Sequence, residues 1–359
     1  MRVLPTLFLS AAALMISAPG AAQQPPAAPA ADAAGPFVVA DTAKVIEATA
    51  TALEENFVFP EIGTRYAAAL RAKLGAGGYA RFASSRDFAT AVTADLQAVH
   101  SDRHLKLLPP QAGEAASGAA TPRRPNMPPN AVTRSGWIAP GVAYIAFAAF
   151  PGNAETLAAV SAFLASHASA KTLIIDARQH RGGGLAEMDL MFAQLFAKPT
   201  ALVRMDTRLS VDQRDGTPDD EGATLVRVSG PATVVRREHR AIPAATATPL
   251  GAAKVYLLTS NRTASAGEHL SLSLKRSGRA TLIGETTRGA GHYGGEVPVG
   301  SGYRAWIPVG RTFDPDTGKG WETVGVAPHT AVPAEQALDE ALRLAGVSAD
   351  GKTALAALK

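Results

Sequence analysis

The chain has 359 residues, of which 47% are hydrophobic and 18% charged, so it is long enough for one large or two ordinary globular domains. It contains no cysteine, which excludes disulfides, thiolate metal sites and cysteine nucleophiles. The net charge of +4 arises from 35 Lys and Arg residues against 31 Asp and Glu residues. These charges are scattered rather than clustered, which argues against a nucleic-acid interface.

The first 22 residues have the layout of a secretory signal peptide. Arg2 precedes an apolar run over 4–16, and small residues follow at Ala18 and Ala22. Neither this run nor any later segment reaches the roughly 18 to 20 apolar residues that a membrane-spanning helix needs. We therefore expect cleavage near Ala22 and an exported, soluble protein that is periplasmic or secreted.

Four regions are predicted after the signal peptide. Residues 23–38 are rich in Ala and Pro and predict a disordered linker. Residues 39–100 predict a small helical N-terminal unit, with helices over 42–56, 61–74 and 85–99. Residues 101–345 form a predicted α/β domain, and residues 346–359 form a C-terminal tail.

Runs typical of buried strands alternate with helical runs in the predicted α/β domain. Strands are predicted over 141–147, 171–175, 254–259 and 280–284, helices over 155–166, 187–196 and 266–275, and hairpin arms over 295–299 and 302–313. Strands that alternate with helices favour an α/β core rather than a β-sandwich.

Ser265 lies where a predicted apolar strand gives way to a predicted helix. Unpaired N–H groups at a helix start carry partial positive charge, so an oxyanion formed beside Ser265 would find donors there. This position predicts a nucleophile. The alternative is that Ser265 only caps the helix, with Glu268 completing a capping box.

His104 follows a predicted helix end and begins a short alternating strand, which is the fixed, partly open position that a general base needs. His100 and His104 are four residues apart, as in the zincin motif, but Ser101 stands where that motif requires Glu. We therefore expect no metal site. An exposed histidine without a role is the alternative interpretation.

Two further segments carry candidate site residues. The glycine triplet Gly182–Gly184 follows a buried strand and would turn backbone N–H groups toward a ligand. A phosphate loop is not indicated, because the Gly-Lys-Ser/Thr ending is absent, and a plain tight turn is the alternative. Glu322, beside Trp321, could be held out of water and orient a histidine, or be an ordinary surface residue.

Together these segments resemble a known family. The motifs are Asp-x-His-Leu at Asp102, Asp-x-Arg-x-x-x-Gly-Gly at Asp176, Thr-x-Ser-Ala-x-Glu at Thr263, Gly-Glu-Thr-Thr at Gly284 and Trp-Glu-x-Val-Gly-Val-x-Pro at Trp321. They occur in the tail-specific (C-terminal-processing) serine peptidases. The similarity is greatest to the branch containing interphotoreceptor retinoid-binding protein and the tricorn protease core, and it covers about 102–332.

The resemblance implies an α/β fold with a crotonase/Clp-protease-like superhelical core and a set of catalytic residues. The implied roles are nucleophile for Ser265, base for His104, orienting carboxylate for Glu322, and oxyanion donors in the glycine turn (Gly182, Gly183) and at Ala266. The expected pKa of the base is near ~6.5, or higher if Glu322 stabilises the imidazolium.

The sequence departs from relatives in several places. Ala290 stands where the processing-protease branch carries its lysine base, and Arg288 cannot replace a lysine because its guanidinium stays protonated. Residues 109–130 are too few for the roughly 90-residue PDZ module that many relatives carry, so substrate docking by such a module is not expected. His180 replaces the usual Asn, and His329 replaces the usual Asp.

The expected function is that of an exported serine peptidase that cleaves peptide or protein substrates by acyl transfer, with no metal or organic cofactor. A noncatalytic carrier of hydrophobic ligands on the same fold is the alternative from a different class. An esterase with the same catalytic residues is a second alternative. The substrate's identity and the oligomeric state stay open.

We predict that the mature protein begins between Ala21 and Gln24 when it is made in an exporting host, because a signal peptidase cuts after small residues that follow the apolar run. Intact-mass measurement of the exported protein tests this. A retained Met1 would contradict the prediction.

Overall fold

The computed structural model describes residues 37–111, 129–216, 221–246 and 248–358. The predicted signal peptide, the linker up to residue 36 and most of the segment 109–130 lie outside these ranges. No helix within the described ranges has both the length and the apolar character needed to cross a membrane.

Helices come first along the chain, and strands alternate with helices after them. In chain order, the helices of the described ranges are α1 (Thr42–Asn56), α2 (Pro60–Gly75), α3 (Ser85–Val99), α4 (Ala154–Ser166), α5 (Ala186–Leu195), α6 (Leu209–Asp215), α7 (Ala266–Arg276), α8 (Ala337–Leu344) and α9 (Gly351–Ala356). The strands are β1 (Lys106–Leu108), β2 (Val132–Ala139), β3 (Val142–Phe147), β4 (Thr172–Asp176), β5 (Thr200–Arg208), β6 (Leu225–Val228), β7 (Val234–Ala241), β8 (Lys254–Thr259), β9 (Thr281–Gly284), β10 (His292–Pro298), β11 (Arg304–Phe313) and β12 (Thr330–Ala331).

The N-terminal helices begin and end for local reasons. The Ser84 side chain accepts a hydrogen bond from the Asp87 N–H and so caps α3, whereas α2 begins with proline at its first turn, where no N–H is needed. Phe37, one residue before the predicted end of the linker, already packs against this unit, because its ring centroid lies 5.4 Å from that of Phe82. These helices pack on the β1–β11 pair through residues such as Ile307.

Two sheets form the rest of the fold. The mixed sheet has the order β12-β9-β8-β4-β3-β2 and is parallel except for β2. The antiparallel sheet has the order β1-β11-β5-β7-β6, with β10 also paired to β11. The expected α/β class with a small helical N-terminal unit is confirmed.

Alternate residues of the mixed sheet enter different cores, as the two-residue period of a strand requires. In β4, Leu173 and Ile175 enter the core that contains α4, α5 and α7, whereas Ile174 enters the core beneath α8. The predicted C-terminal tail adds to the second core, because Ala354 of α9 is buried there.

The strands β4 and β8 are parallel neighbours, so the loops that follow them lie at the same edge of the sheet. Ser265 lies in the loop that follows β8.

Candidate active site

Ser265 has a strained backbone immediately before α7. Its φ of 52° and ψ of −116° are rare for a residue with a side chain and cost on the order of 1–3 kcal/mol. The loop before it is fixed, since Thr263 Oγ1 donates to the Ala177 carbonyl at 2.8 Å and Ser260 Oγ donates to the Arg178 carbonyl at 2.6 Å. A strand-to-helix turn with strain at a serine is typical of a nucleophile.

The Glu268 carboxylate holds this turn from beneath. It is fully buried and accepts the Ser265 N–H at 2.9 Å, which is the cap that the sequence indicated. It also accepts Thr287 Oγ1 at 2.6 Å and the N–H groups of Gly289 and Ala290 at 2.6 and 2.8 Å. Burial raises the pKa of Glu268, and these donors oppose that shift. Ser265 is therefore both the helix cap and a strained candidate nucleophile.

The glycine turn approaches Ser265 closely enough to exclude any side chain. A Cβ on Gly182 would lie 3.0 Å from the Ser265 Cβ, and one on Gly183 would overlap the Phe150 carbonyl oxygen. The Gly182 N–H donates to His180 Nδ1 at 3.1 Å, so it is not free to bind an oxyanion. The N–H groups of Gly183 and Ala266 have no acceptor in the described part of the chain, so these two donors are available to an oxyanion.

His180 and His329 act as hydrogen-bond acceptors at the positions where they replace Asn and Asp. His180 is fully buried, and burial lowers its pKa to about 3, so the ring is neutral and Nδ1 can accept the Gly182 N–H. His329 Nδ1 accepts the Leu282 N–H at 2.9 Å beside β9. Both side chains fix backbone segments.

The His104 ring stacks on Trp306 with ring centroids 4.7 Å apart. The backbone N–H of His104 donates to Asp102 Oδ1 at 2.9 Å. Burial lowers the pKa of His104 to about 4. Asp102 opposes this shift, whereas the electrostatic effects of His292, Lys106 and Arg288 add to it. The expected pKa near or above 6.5 is therefore wrong for this structure, because desolvation of the imidazolium outweighs the nearby carboxylate.

Glu322 lies beside this base without a hydrogen bond to it among the described residues. A carboxylate oxygen of Asp102, a ring nitrogen of His104 and a carboxylate oxygen of Glu322 all lie within 4.8 Å of one another. Glu322 Oε1 accepts the Arg103 N–H at 2.7 Å, and Oε2 accepts the N–H groups of Gly291 at 2.5 Å and the following residue at 3.0 Å. Each carboxylate oxygen of Asp102 and Glu322 takes part in at least one hydrogen bond.

The Asp102–His292 pair is a part of the site that sequence reasoning missed. Asp102 is fully buried, and its Oδ2 lies 2.6 Å from His292 Nδ1. Burial would raise the pKa of Asp102, but the hydrogen bond and charge of His292 outweigh it and hold the pKa below its usual range. Asp102 thus links the loop of the base to β10. The only sequence signal was its place in the Asp-x-His motif.

The site joins groups that are far apart in the chain. The N–H groups of Gly289 and Ala290 hold the carboxylate beneath Ser265, and those of Gly291 and His292 hold Glu322 beside the base. We call residues 289–292 the amide clamp. It connects the turn that contains Ser265 to the segment 103–104 through the carboxylates of Glu268 and Glu322.

Comparisons with known proteins agree with this architecture. The photosystem II D1 C-terminal processing protease is 16% identical, with 87% of this chain and 98% of that chain covered and a TM-score of 0.52. A protein from Parabacteroides merdae ATCC 43184 named as a peptidase is 13% identical, with 90% and 97% covered and a TM-score of 0.53. A match to the tricorn protease is 19% identical over 61% of this chain and 17% of tricorn, with a TM-score of 0.35. At such identities the first two likenesses show the fold.

Two family descriptions match the sequence directly. The N-terminal domain of Peptidase_S41 in eukaryotic IRBP matches residues 38–138, and Peptidase family S41 matches residues 141–332. The second match alone spans more than half of the chain, which confirms the resemblance that the motifs indicated. The protein belongs to Peptidase family S41 and is a serine-type peptidase.

Proposed function

We propose that this S41 peptidase is exported and cleaves peptide bonds of peptide or protein substrates, with Ser265 as nucleophile, His104 as general base and Glu322 as the carboxylate that stabilises the imidazolium. The observation that carries the proposal is the strained Ser265 beside two N–H groups, those of Gly183 and Ala266, that have no acceptor among the described residues. Export rests on the N-terminal sequence alone.

The mechanism follows from this arrangement. Ser265 Oγ attacks the carbonyl carbon of the scissile bond while His104 takes its proton. The Gly183 and Ala266 N–H groups hold the resulting oxyanion, and His104 returns the proton to the leaving amine. A water molecule, deprotonated by His104, then hydrolyses the acyl-enzyme. Glu322 is held close to the imidazolium by its three backbone donors and lowers the energy of that charge.

Three observations favour His104 over a lysine base. Ala290, at the lysine position of the processing branch, is buried, and its N–H donates to Glu268. Lys275, on α7, donates to the Ala327 carbonyl at 2.6 Å and is thereby engaged elsewhere. The lowered pKa of His104 means that its imidazole is neutral, and so able to accept a proton, at neutral pH.

A carrier of hydrophobic ligands is less well supported. A strained serine contributes nothing to ligand carriage. Two surface cavities among the described residues, of about 970 and 630 Å³, both have the charged side chains of Arg134, Arg178 and Glu335 in their lining beside apolar ones such as Leu355. An esterase would share the acyl-transfer chemistry, so the nature of the substrate distinguishes it from a peptidase.

We predict that Ser265→Ala abolishes peptide hydrolysis and covalent labelling by a fluorophosphonate probe. The loss of stability should be small, because a side-chain cap contributes about 1 kcal/mol at most and the Glu268 bond to the backbone N–H remains. Lys275→Met is the matched control and should retain both activities. Labelling of Ser265→Ala would place the nucleophile elsewhere, and loss of hydrolysis in Lys275→Met would indicate a lysine base.

A second prediction concerns Glu322→Gln, which removes the negative charge near the imidazolium. It also replaces one carboxylate oxygen, which accepts a backbone N–H, with an amide NH₂ group that cannot accept it. We expect kcat to fall by a large factor, up to ~10⁴ as for the carboxylate of the best studied triad. Combined with His104→Ala, the two losses should not multiply, because residues that act as one unit lose function together. If kcat is measured for wild type, both single variants and the double variant, and the two losses multiply, Glu322 does not act together with His104.

The third prediction concerns pH. Since only the neutral imidazole accepts the proton, kcat/KM should rise with pH through a limb at about 4. Burial holds the pKa values of His104 and His180 in the folded protein below the ~6.5 of the unfolded chain, so the unfolded chain binds more protons as the pH falls below ~6.5. The free energy of unfolding therefore decreases in that range, and circular dichroism at each pH must accompany the rate measurements. A limb at or above ~6.5 in folded protein would show that the base is not the buried His104.

A further inference from the structure

Four basic side chains near the candidate active site form no ion pair with a carboxylate in the described ranges, although many other arginines there do. Arg71, Arg236 and Arg276, for example, each form ion pairs of 3.1 Å or less. The exposed side chains of Arg103, Lys106, Arg181 and Arg288 have no carboxylate within 4.0 Å in the ranges that the structure describes. We call these four residues the basic rim.

Two members of the basic rim flank the nucleophile. The N–H of Arg288 donates at 2.9 Å to the carbonyl of Thr263, two residues before Ser265. Arg181 immediately precedes Gly182, whose Cα lies so close to Ser265 that an added Cβ would be 3.0 Å from the serine Cβ.

The other two members flank the base. The Arg103 N–H donates to Glu322, and Arg103 directly precedes His104. Lys106 is paired across the β1–β11 ladder with Trp306, the residue on which His104 stacks. Backbone contacts and chain order therefore place Arg181 and Arg288 in segments next to Ser265, and Arg103 and Lys106 in the segment that carries His104.

The carboxylates of the site do not neutralise the rim by direct contact. Asp102 and Glu268 are fully buried and bonded to His292, to Thr287 and to backbone N–H groups. Glu322 is bonded to three backbone N–H groups. None of these three carboxylates therefore forms an ion pair with a rim side chain in the described ranges. The lowered pKa of His104, to which Lys106 and Arg288 contribute, agrees with their closeness to the reacting groups.

We propose that the basic rim is a substrate subsite that binds a carboxylate of the peptide close to the scissile bond, with Arg288 as its principal contact. The inference rests on the proposed role of Ser265. A guanidinium presents paired N–H donors that match a carboxylate, which a lysine cannot do. The carboxylate is either an acidic side chain or the free C-terminus of the peptide, and the two sources share this chemistry.

The expected size of the effect follows from exposure. A solvent-exposed ion pair changes an equilibrium by about fivefold at most, and salt weakens it. Several cations that act together also raise the rate of encounter with an anionic peptide. We therefore expect a preference for the acidic peptide of about tenfold at low salt, which falls to a few-fold or less in about 0.5 M salt.

The test uses fluorescent peptides of one sequence that differ only in charge. One set exchanges Glu for Gln beside the cleaved bond, and a second exchanges a free C-terminus for an amide. The ratio of kcat/KM between acidic and neutral members is measured with wild type, and the ratio of Kd is measured with Ser265→Ala. Arg288→Gln should lower both ratios severalfold, and Arg288→Glu should reverse the preference toward a Lys-containing peptide.

Arg134→Gln is the matched control, because Arg134 is an exposed cation on β2, three places from β8 in the sheet, with no carboxylate partner in the described part of the chain. It should leave rates and ratios unchanged. A preference confined to the first peptide set assigns the rim to acidic side chains, and one confined to the second assigns it to the C-terminus. Peptides that bind without preference, or not at all, overturn the inference. Fluorophosphonate labelling of the wild type reports separately on the nucleophile.

Discussion

The amide clamp is the constraint on which the rest of the site depends. Four successive backbone N–H groups, from Gly289 to His292, are divided between the carboxylates of Glu268 and Glu322. Hydrogen bonds to a charged acceptor are roughly twice as strong as neutral ones, and leaving such a buried acceptor or its donors unpaired costs several times more than a surface contact. The clamp therefore ties the turn of Ser265 to the segment of His104 through backbone hydrogen bonds to these two carboxylates.

Close backbone packing around the clamp explains its composition. Gly289 has a φ of 82°, and a Cβ there would lie 2.7 Å from the Thr323 carbonyl carbon. A Cβ on Gly291 would lie 2.8 Å from the Glu322 nitrogen. Ala290 between them is buried, so a lysine ammonium in its place would have to be desolvated beside the carboxylate of Glu268. The close packing that holds the two carboxylates therefore also buries Ala290, at the position where the processing branch carries its lysine.

Local patterns predicted the elements that carry Ser265 and the β10–β11 hairpin, but not the strands β5, β6 and β7 of the antiparallel sheet. The strand β8 and the helix α7 follow from apolar spacing and a cap within a short stretch of sequence. By contrast, β7 has the sequence VVRREHRA, which reads as polar until pairing with β5 brings Arg236 to 2.6 Å from Asp206. The Asp102–His292 pair was invisible for a similar reason, since its members are 190 residues apart. Contacts created only by folding leave no periodicity in the sequence.

The electrostatics of the base show how burial and surface charge act together. Desolvation lowers the pKa of His104 most, and the electrostatic effects of His292, Lys106 and Arg288 lower it further, so the imidazole of the free protein is neutral over a wide pH range. A substrate carboxylate seated on Arg288 would cancel part of that positive field. The imidazole would then become more basic when a peptide with the right charge is in place, because the imidazolium would no longer be repelled as strongly. Recognition and proton transfer would in that case draw on the same two cations, and an uncharged peptide would meet both a weaker subsite and a weaker base.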